Sequence, residues 1–599
     1  MFRKLAPLAL AIAVAATLGT LGCDGDDGGP VVVVTVEVSP ATATVASGST
    51  QQYSAVARDG NGNVISGRSF TWTSADQTVA LVDNTGLATA GIMGTTYVRA
   101  ATGGVTDSAE IVVIPNNLPD PPDDQFQDTN GDGIDGVIAG AVFVAPPPTG
   151  DDANAGTPDE PKATIAAAIA AAVADGTKDQ VYISSGTYSE TVTLAAGISL
   201  YGGYDAASDW DRSFSNTATI DGDTTAVIGA SISQPTVLDL LTIESADNTQ
   251  LGGNSTGIYL TESTMVTLRN LTVTAGGGGA GIVGTPGSQG LPGNDGQAGT
   301  LPVGGAGGDT VMAADLSRPG SGKGGDGGNG STTVGVNGGD GGNGLPWLPG
   351  GGGAGGAGGL EPLPGDLDAC TVPGLDGQAG GDGSFGLDGQ GGGGGNGDGS
   401  VVGGHWVGTP GADGEYGAPG FGGGAGGGGS AGRELGIPPC PVLAGGGGGG
   451  GGSGGQGGDF GTGGLGGGGS FGIFANNTTV DIEASTITAG NGGAGGDGGE
   501  GGPGGTGGLG ALGSGGDVSQ SDPALSGGMG GAGGLGGAGG AGGSGGGGGG
   551  GVSYAVYRAG TSTVTISTAT LSAGTGGPGG LGGTGANDGS AGSSGERNW

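Results

Sequence analysis

At 599 residues the chain is long enough for several domains, but 165 residues are glycine, which brings no side chain to a core and loses the most backbone freedom on ordering. Fourteen basic residues stand against 55 acidic ones, for a formal net charge of −41. That balance argues against a nucleic-acid partner, because phosphate binding needs clustered Lys and Arg. The acidity reads as solubility and self-repulsion of an extracellular protein, with weak multi-site cation binding as the sharper alternative.

Residues 1–22 read as an export signal. Arg3 and Lys4 precede the run Leu5–Leu18, which is too short and too Ala-rich for a stable membrane span. The run ends in Thr20-Leu21-Gly22-Cys23 and an acidic glycine linker over 23–30. This resembles a bacterial lipoprotein signal. The resemblance implies lipidation of Cys23, a membrane contact through that lipid, and a place in the cell envelope, at the outer membrane or surface. Thr20 departs from the usual Leu of the pattern, and an unused lipobox would leave the chain secreted.

Residues 31–114 alternate short apolar strands (VVVVTVEVSP, QQYSAVARD, SFTWTS, ALVDN, TTYVRAA, SAEIVVI) with Gly, Asn and Asp turns, the spacing of an all-β sandwich. From Val38 to Val113, with Trp72, Asp83, Gly86, Gly94 and Thr95, the segment resembles the group 2 bacterial Ig-like domain. The resemblance implies a disulfide-free sandwich of the kind found in surface proteins, with Trp72 in its core.

Residues 115–140 form an acidic linker. Asp128, Asn130 and Asp132 alternate and Gly133 follows, as in the first half of a calcium loop, but the twelfth position is Ala139 and not a bidentate acid. Calcium (Ca2+) held by these three residues stands beside a plain solvated linker.

Residues 141–275 open a second domain. Helical spacing covers Lys162–Ala174, with Ile165, Ile169 and Val173 on one face, and strands VYIS, VTL and ISLYGGY follow. Together with GTYSETVTL and LYGGYD this resembles the N-terminal end of right-handed parallel β-helices of the pectin-lyase-like superfamily. The helix is then expected to cap a solenoid of six or seven coils. The stretch GIYLTESTMVTLRNLTVTAG at 257–276 recurs as GIFANNTTVDIEASTITAG at 472–490 and AVYRAGTSTVTISTATLSAG at 555–574. Apolar residues fall at every second position, so Val266, Val480 and Val564 should stack, as should Leu268, Ile482 and Ile566, and then Val273, Ile487 and Leu571. Each copy exits into glycine at the same point. The expected order is a glycine-rich insertion at 276–470, a coil at 471–490, a second insertion at 491–551, a coil at 552–574 and a glycine-rich tail at 575–599.

The insertions keep a frame of three. Glycine falls at 284, 287, 290, 293, 296 and 299, and between 492 and 510 two of every three residues are Gly. Three residues per turn is the repeat of an extended left-handed helix. This resembles polyglycine-II bundles and, in composition, the glycine-rich repeats of mycobacterial PE-PGRS proteins; the alternative is a flexible linker. Cys370 and Cys440, in an oxidising compartment, are expected to form a disulfide across the longest insertion.

Chemistry is sparse. Asp205, Asp209, Asp211 and Arg212 form the best local acid cluster, but in this resemblance they read as a coil-to-coil connection. The only histidine, His405, reads as solvated in a glycine tract, and Trp406, with other aromatics there, reads as an anchor more readily than as a sugar platform. The fold class expected is all-β, an Ig-like sandwich plus a right-handed parallel β-helix with polyglycine-II-like insertions. The expected role is a non-catalytic structural or adhesive surface lipoprotein that meets a polysaccharide or a cell-surface partner. A polysaccharide lyase or hydrolase and an ice- or mineral-binding protein are the alternatives.

Overall fold

The computed structural model describes residues 31–116, 118–311, 320–332, 339, 352–359, 373–433, 441–520 and 525–599. The chain divides into two compact units, Met1–Val137 and Ile138–Trp599.

The first unit is an antiparallel sandwich with one parallel pair. A four-stranded sheet runs in the order Thr42–Ala46, Val105–Ile114, Gly94–Thr102 and Thr71–Ser74, and a three-stranded one joins Thr50–Gln52, Leu87–Ala90 and Ala80–Val82. Thr35–Ser39 pairs with Ser54–Arg58. Alternation turns Ala109, Ile111 and Val113 inward against Tyr53, Val98 and Ala100, with Trp72 packed partly buried on that core. Gly86 has φ +82°, and a Cβ there would stand closer than 3.0 Å to the Trp72 ring and the Tyr53 carbonyl. The Asp83 carboxylate closes that turn by accepting from the backbone N–H groups of Thr85 and Leu87. Thr42–Ala46 and Leu87–Ala90 are strands that the sequence reading had not separated out.

The second unit is a solenoid of three parallel sheets. Successive strands visit the sheets in turn: Gln180–Ser184 in the first, Gly186–Tyr188 in the second, Val192–Thr193 in the third, then Ser199–Asp205 in the first again. Along each sheet the coils pair in parallel, and the three sequence copies pair in the expected register. Val266 lies beside Val480 and Val480 beside Val564; Leu268, Ile482 and Ile566 follow suit. Val273, Ile487 and Leu571 form the equivalent row in the second sheet. These rows point inward and form one continuous core with Ile258, Leu260 and Ile473. The tail contributes more than expected: Ser594–Arg597 returns to the third sheet and pairs with Ser553–Ala559.

The helix Ile165–Asp175 begins at Thr164, whose side chain accepts from Ala167 N, and ends on Gly176 in the left-handed region. The Glu190 carboxylate accepts from Ile165 N and Ala166 N at 2.8 and 3.0 Å, a negative charge on the positive helix end. Ile165, Ala168, Ile169 and Ala172 face the solenoid core. Val173, placed on that face by its spacing, is 57% exposed; Ala172 takes the inward position instead.

Corners between the first and second sheets turn on one residue in left-handed conformation, Leu240, Asn270, Ala484 and Thr568 in successive coils. A Cβ is costly there, by about 1–2 kcal/mol. Ala484→Gly is therefore expected to raise stability by about 0.5–1 kcal/mol, the strain relief exceeding the added freedom of the unfolded chain. Urea unfolding of the full chain measures it, and an unchanged or lower midpoint would refute the strain.

Both long excursions leave the corner between the second and third sheets. The Ser470 hydroxyl donates to Gly276 O at 2.7 Å and so closes the first; Ser553 donates to Gly490 O at 2.6 Å and closes the second. In the coil above, which carries only a short loop, Ser255 donates to Ala246 O in the same manner.

Within the excursions the frame of three appears as hydrogen bonds. Gly281, Gly284 and Gly287 donate their N–H groups to the carbonyls of Ala494, Asp497 and Glu500 at 2.7–2.8 Å, every third residue in a parallel pair. The segment 445–468 lies at the centre. Gly449 and Gly452 donate to Gly531 and Gly534, Gly450 and Ser453 to Gln297 and Asn294, and Gly448 and Gly451 to Gly328 and Gly325. It accepts from Gly426 and Gly423, from Gly508 and Gly505, and from Gly305 and Gly308. Six extended segments thus surround it.

Glycine density follows position. Residues 445–452 are all glycine and all buried, because every face of that segment meets another backbone. In 492–510 one residue of each triplet reaches the surface, and in 281–299 two do. Most side chains gather where no backbone adjoins, with Ser453 and Gln456 of the central segment as buried exceptions. Carboxylates on those outer rows also have a local role: Asp376, Asp382 and Asp388 accept from the N–H groups of Met529, Leu535 and Ala541 at 2.7–2.8 Å. Part of the net charge is therefore tied to peptide groups at the bundle surface.

Candidate functional site

Outward-facing residues of the third sheet stack in two columns. One reads Thr225, Thr256, Phe471, Tyr554, and the other Ile228, Tyr259, Phe474, Tyr557, each residue in register with the next. Both columns change from small side chains to aromatic rings partway along. The rings of Tyr259 and Phe474 stack with centroids 5.7 Å apart, and those of Phe474 and Tyr557 at 5.1 Å. At this spacing ring contacts add about 0.5–1.5 kcal/mol each beyond the area they bury.

A hairpin from the first excursion, Ser400–Val402 with His405–Val407, covers the aromatic half. Gly403 and Gly404 make its turn, both at positive φ. Trp406 is 2% exposed and packs on Phe471, with its indole N–H donated to Asp398 O. The Tyr259 hydroxyl donates to Gly404 O, and Asn254 Nδ2 donates to Trp406 O at 2.8 Å. Trp406 is thus the anchor expected of it. His405 is exposed, but its ring stacks on Tyr259 at 5.0 Å and within 8° of parallel.

The hairpin stops where the columns become small, which leaves a recess of about 360 Å³. His405, Tyr259, Trp406 and Ile228 give it apolar surface; Thr225, Thr256 and Asn254 give it polar groups. The sequence reading missed this site, since its walls come from segments some 145 residues apart. The available signal was the column order, Thr-Thr-Phe-Tyr and Ile-Tyr-Phe-Tyr, in the aligned copies.

The acid cluster at 205–212 does not converge. Asp205 caps a short helical turn by accepting from Ala207 N and Ser208 Oγ. Trp210 is buried against Phe143, and Asp209 and Asp211 are exposed. Arg212 turns inward to Asp239, with Nη2 to Oδ2 at 2.7 Å, and donates from Nε to Gly202 O. Asp239 is fully buried and also accepts from Arg269 and Asn270. Burial alone would raise the Asp239 carboxyl, but hydrogen bonds and charge from Arg269 and Arg212 outweigh it and hold the group below its ordinary value.

Asp128, Asn130 and Asp132 do share one tight loop. Asp128 accepts from the N–H groups of Gly131, Asp132 and Gly133; Asn130 Oδ1 accepts from Asp132 N, while its amide donates to Gly136 O. Burial pushes the nearby Asp120 carboxyl up, reinforced by the charge of Asp128. Among the described residues no three His, Cys, Asp or Glu side chains are grouped to hold a metal ion. Asp128, Asn130 and Asp132 thus each accept from a backbone N–H of the same loop. Cys23, Cys370 and Cys440 lie outside the described residues.

Comparison with known proteins gives one family and little else. A search of curated proteins returns no match. Among solved structures, the crystal structure of domains 4 and 5 of the S-layer protein SbsC is similar over 14% of this chain and 53% of its own, at 22% identity and a TM-score of 0.13. A longer SbsC structure, rSbsC(31-844), is similar over 15% of this chain and 14% of its own, at 20% identity and a TM-score of 0.14. The chain thus spans about half the length of the first and a smaller share of the second. Residues 32–113 match the family of the bacterial Ig-like domain (group 2), and that unit of the chain is similar to it.

Proposed function

We propose that the protein is a non-catalytic structural and adhesive lipoprotein of the bacterial cell surface. In this reading the Ig-like unit is a spacer or adhesion module, and the solenoid displays a polyglycine-II-like surface on a pectin-lyase-like scaffold. The observation that carries it is the similarity of residues 32–113 to a bacterial Ig-like domain, in one chain with a parallel solenoid. The inward turn of Arg212 to Asp239 supports it as well, since it removes the one base from the best acid cluster and leaves Asp209 and Asp211 exposed. Lipidation at Cys23, a disulfide between Cys370 and Cys440, and calcium at Asp128, Asn130 and Asp132 belong to the same proposal.

Bacterial cells displaying the full chain test it on surfaces coated with neutral and acidic polysaccharides, with calcium or with EDTA. Retention of the cells without shortening of the polysaccharide is expected. Fatty-acid labelling of the protein is expected to disappear in Cys23→Ser. Shortened polysaccharide would overturn the reading in favour of a lyase or hydrolase; no retention on any surface would overturn its adhesive part.

A further inference from the structure

We infer that the recess beside His405 binds a single neutral sugar ring, which would make it the contact point of the adhesive surface proposed above; the inference rests on that reading. Three features of the recess point to a pyranose. Its volume of about 360 Å³ lies at the small end of ligand pockets, enough for one compact ring and not for a long segment. One wall is flat: the His405 imidazole lies parallel on Tyr259, continuing the stack through Phe474 to Tyr557, and a sugar presents a flat C–H face to such a wall.

The third feature is polar. Thr256 is 5% exposed and lines the recess, yet among the described residues no hydrogen bond reaches its hydroxyl. Thr225 beside it is partly exposed and also lines the recess. Ring hydroxyls can both donate to and accept from these two groups. A purely apolar ligand would leave these groups unmet.

The sign of charge narrows the class further. Among the described residues no Lys or Arg lines the recess, and the chain carries a net charge of −41. A phosphate or a uronate would enter against that field with no cation to receive it. A neutral hexose unit of a glycan meets no such opposition.

The test uses the full chain and a series of neutral oligosaccharides (gluco-, manno- and galacto-configured), with oligogalacturonate as the acidic comparison and binding read by calorimetry. At least one neutral series is expected to bind and the acidic one not. His405→Ala removes an exposed ring, so folding is expected to survive, which the melting curve checks. It should weaken binding about tenfold, and His405→Tyr should restore it. Thr256→Val keeps the shape and removes the hydroxyl, and should weaken binding about fivefold. Neutral binding that is indifferent to all three substitutions would overturn this site while leaving surface adhesion standing. Binding only to the acidic series, or to none, with cells still retained on coated surfaces would overturn the sugar assignment alone.

Discussion

Gly452→Ala is expected to open the glycine bundle at its centre. A Cβ at this position would stand closer than 3.0 Å to both O and C of Gly508, and those atoms belong to a backbone that is itself hydrogen-bonded on other sides. Neither can withdraw without parting a row of N–H to O=C bonds, so the cost should reach or exceed the ~1–3 kcal/mol typical of overpacked cores. Gly393→Ala is the matched control, since a Cβ there meets nothing within 4 Å. It should be neutral or slightly stabilising, by about 0.5 kcal/mol, because alanine restricts the unfolded chain. Hydrogen exchange of the full chain distinguishes the two: amide protection over 445–468 should fall in Gly452→Ala and stay in Gly393→Ala. Equal protection in both would mean that the segment is not packed on all sides.

Asp239→Asn is expected to cost about 3–5 kcal/mol, the usual result of removing one partner from a buried ion pair. The Arg212 side chain is 1% exposed and would keep its charge with no carboxylate to meet it. Asp209→Asn and Asp211→Asn, both exposed, should change stability little. The pH dependence follows from the same group. A carboxyl whose folded value lies below its unfolded value of about 3.9 adds stability above that value and loses it as pH falls through the folded one. The melting temperature of the native chain should thus be insensitive to Asp239 between pH 7 and 5 and drop below about pH 4 on its account. Asp239→Asn should lack that acid-side drop. A variant as stable as the native chain at pH 7 would show that Arg212 reaches water in solution.

The sequence revealed the solenoid because its rule is short. Alternation and the identity of Val, Ile and Leu sufficed to register Val266, Val480 and Val564, and the constant exit into glycine located the corner used by each excursion. The frame of three was equally visible, and its density, read triplet by triplet, already carried the order of layers from surface to centre. What escaped notice lacked such rules. The last strand, Ser594–Arg597, has no apolar alternation, and its backbone alone pairs it with the preceding coil. Asp239 sat inside the apolar run VLDLL, an anomaly that marked a buried charge, but its partners Arg212 and Arg269 lie 27 and 30 residues away. The recess depends on His405 and Trp406 folding back from an excursion onto Tyr259 and Asn254, a contact that no local pattern encodes.

The closed excursions impose a grammar on the gene. Ser470 on Gly276 and Ser553 on Gly490 fix where each excursion begins and ends, so its length is invisible to the coils it interrupts. Its phase is not. Loss of one residue after Gly493 would turn Asp497, Glu500 and Pro503 from the open face onto the face now filled by Gly496, Gly499 and Gly502, against the backbone of 282–288. Loss of a whole triplet would only shorten the rod. Descendants of this gene can therefore lengthen or trim the bundle freely, provided that they do so three codons at a time, as if a second reading frame were laid over the first.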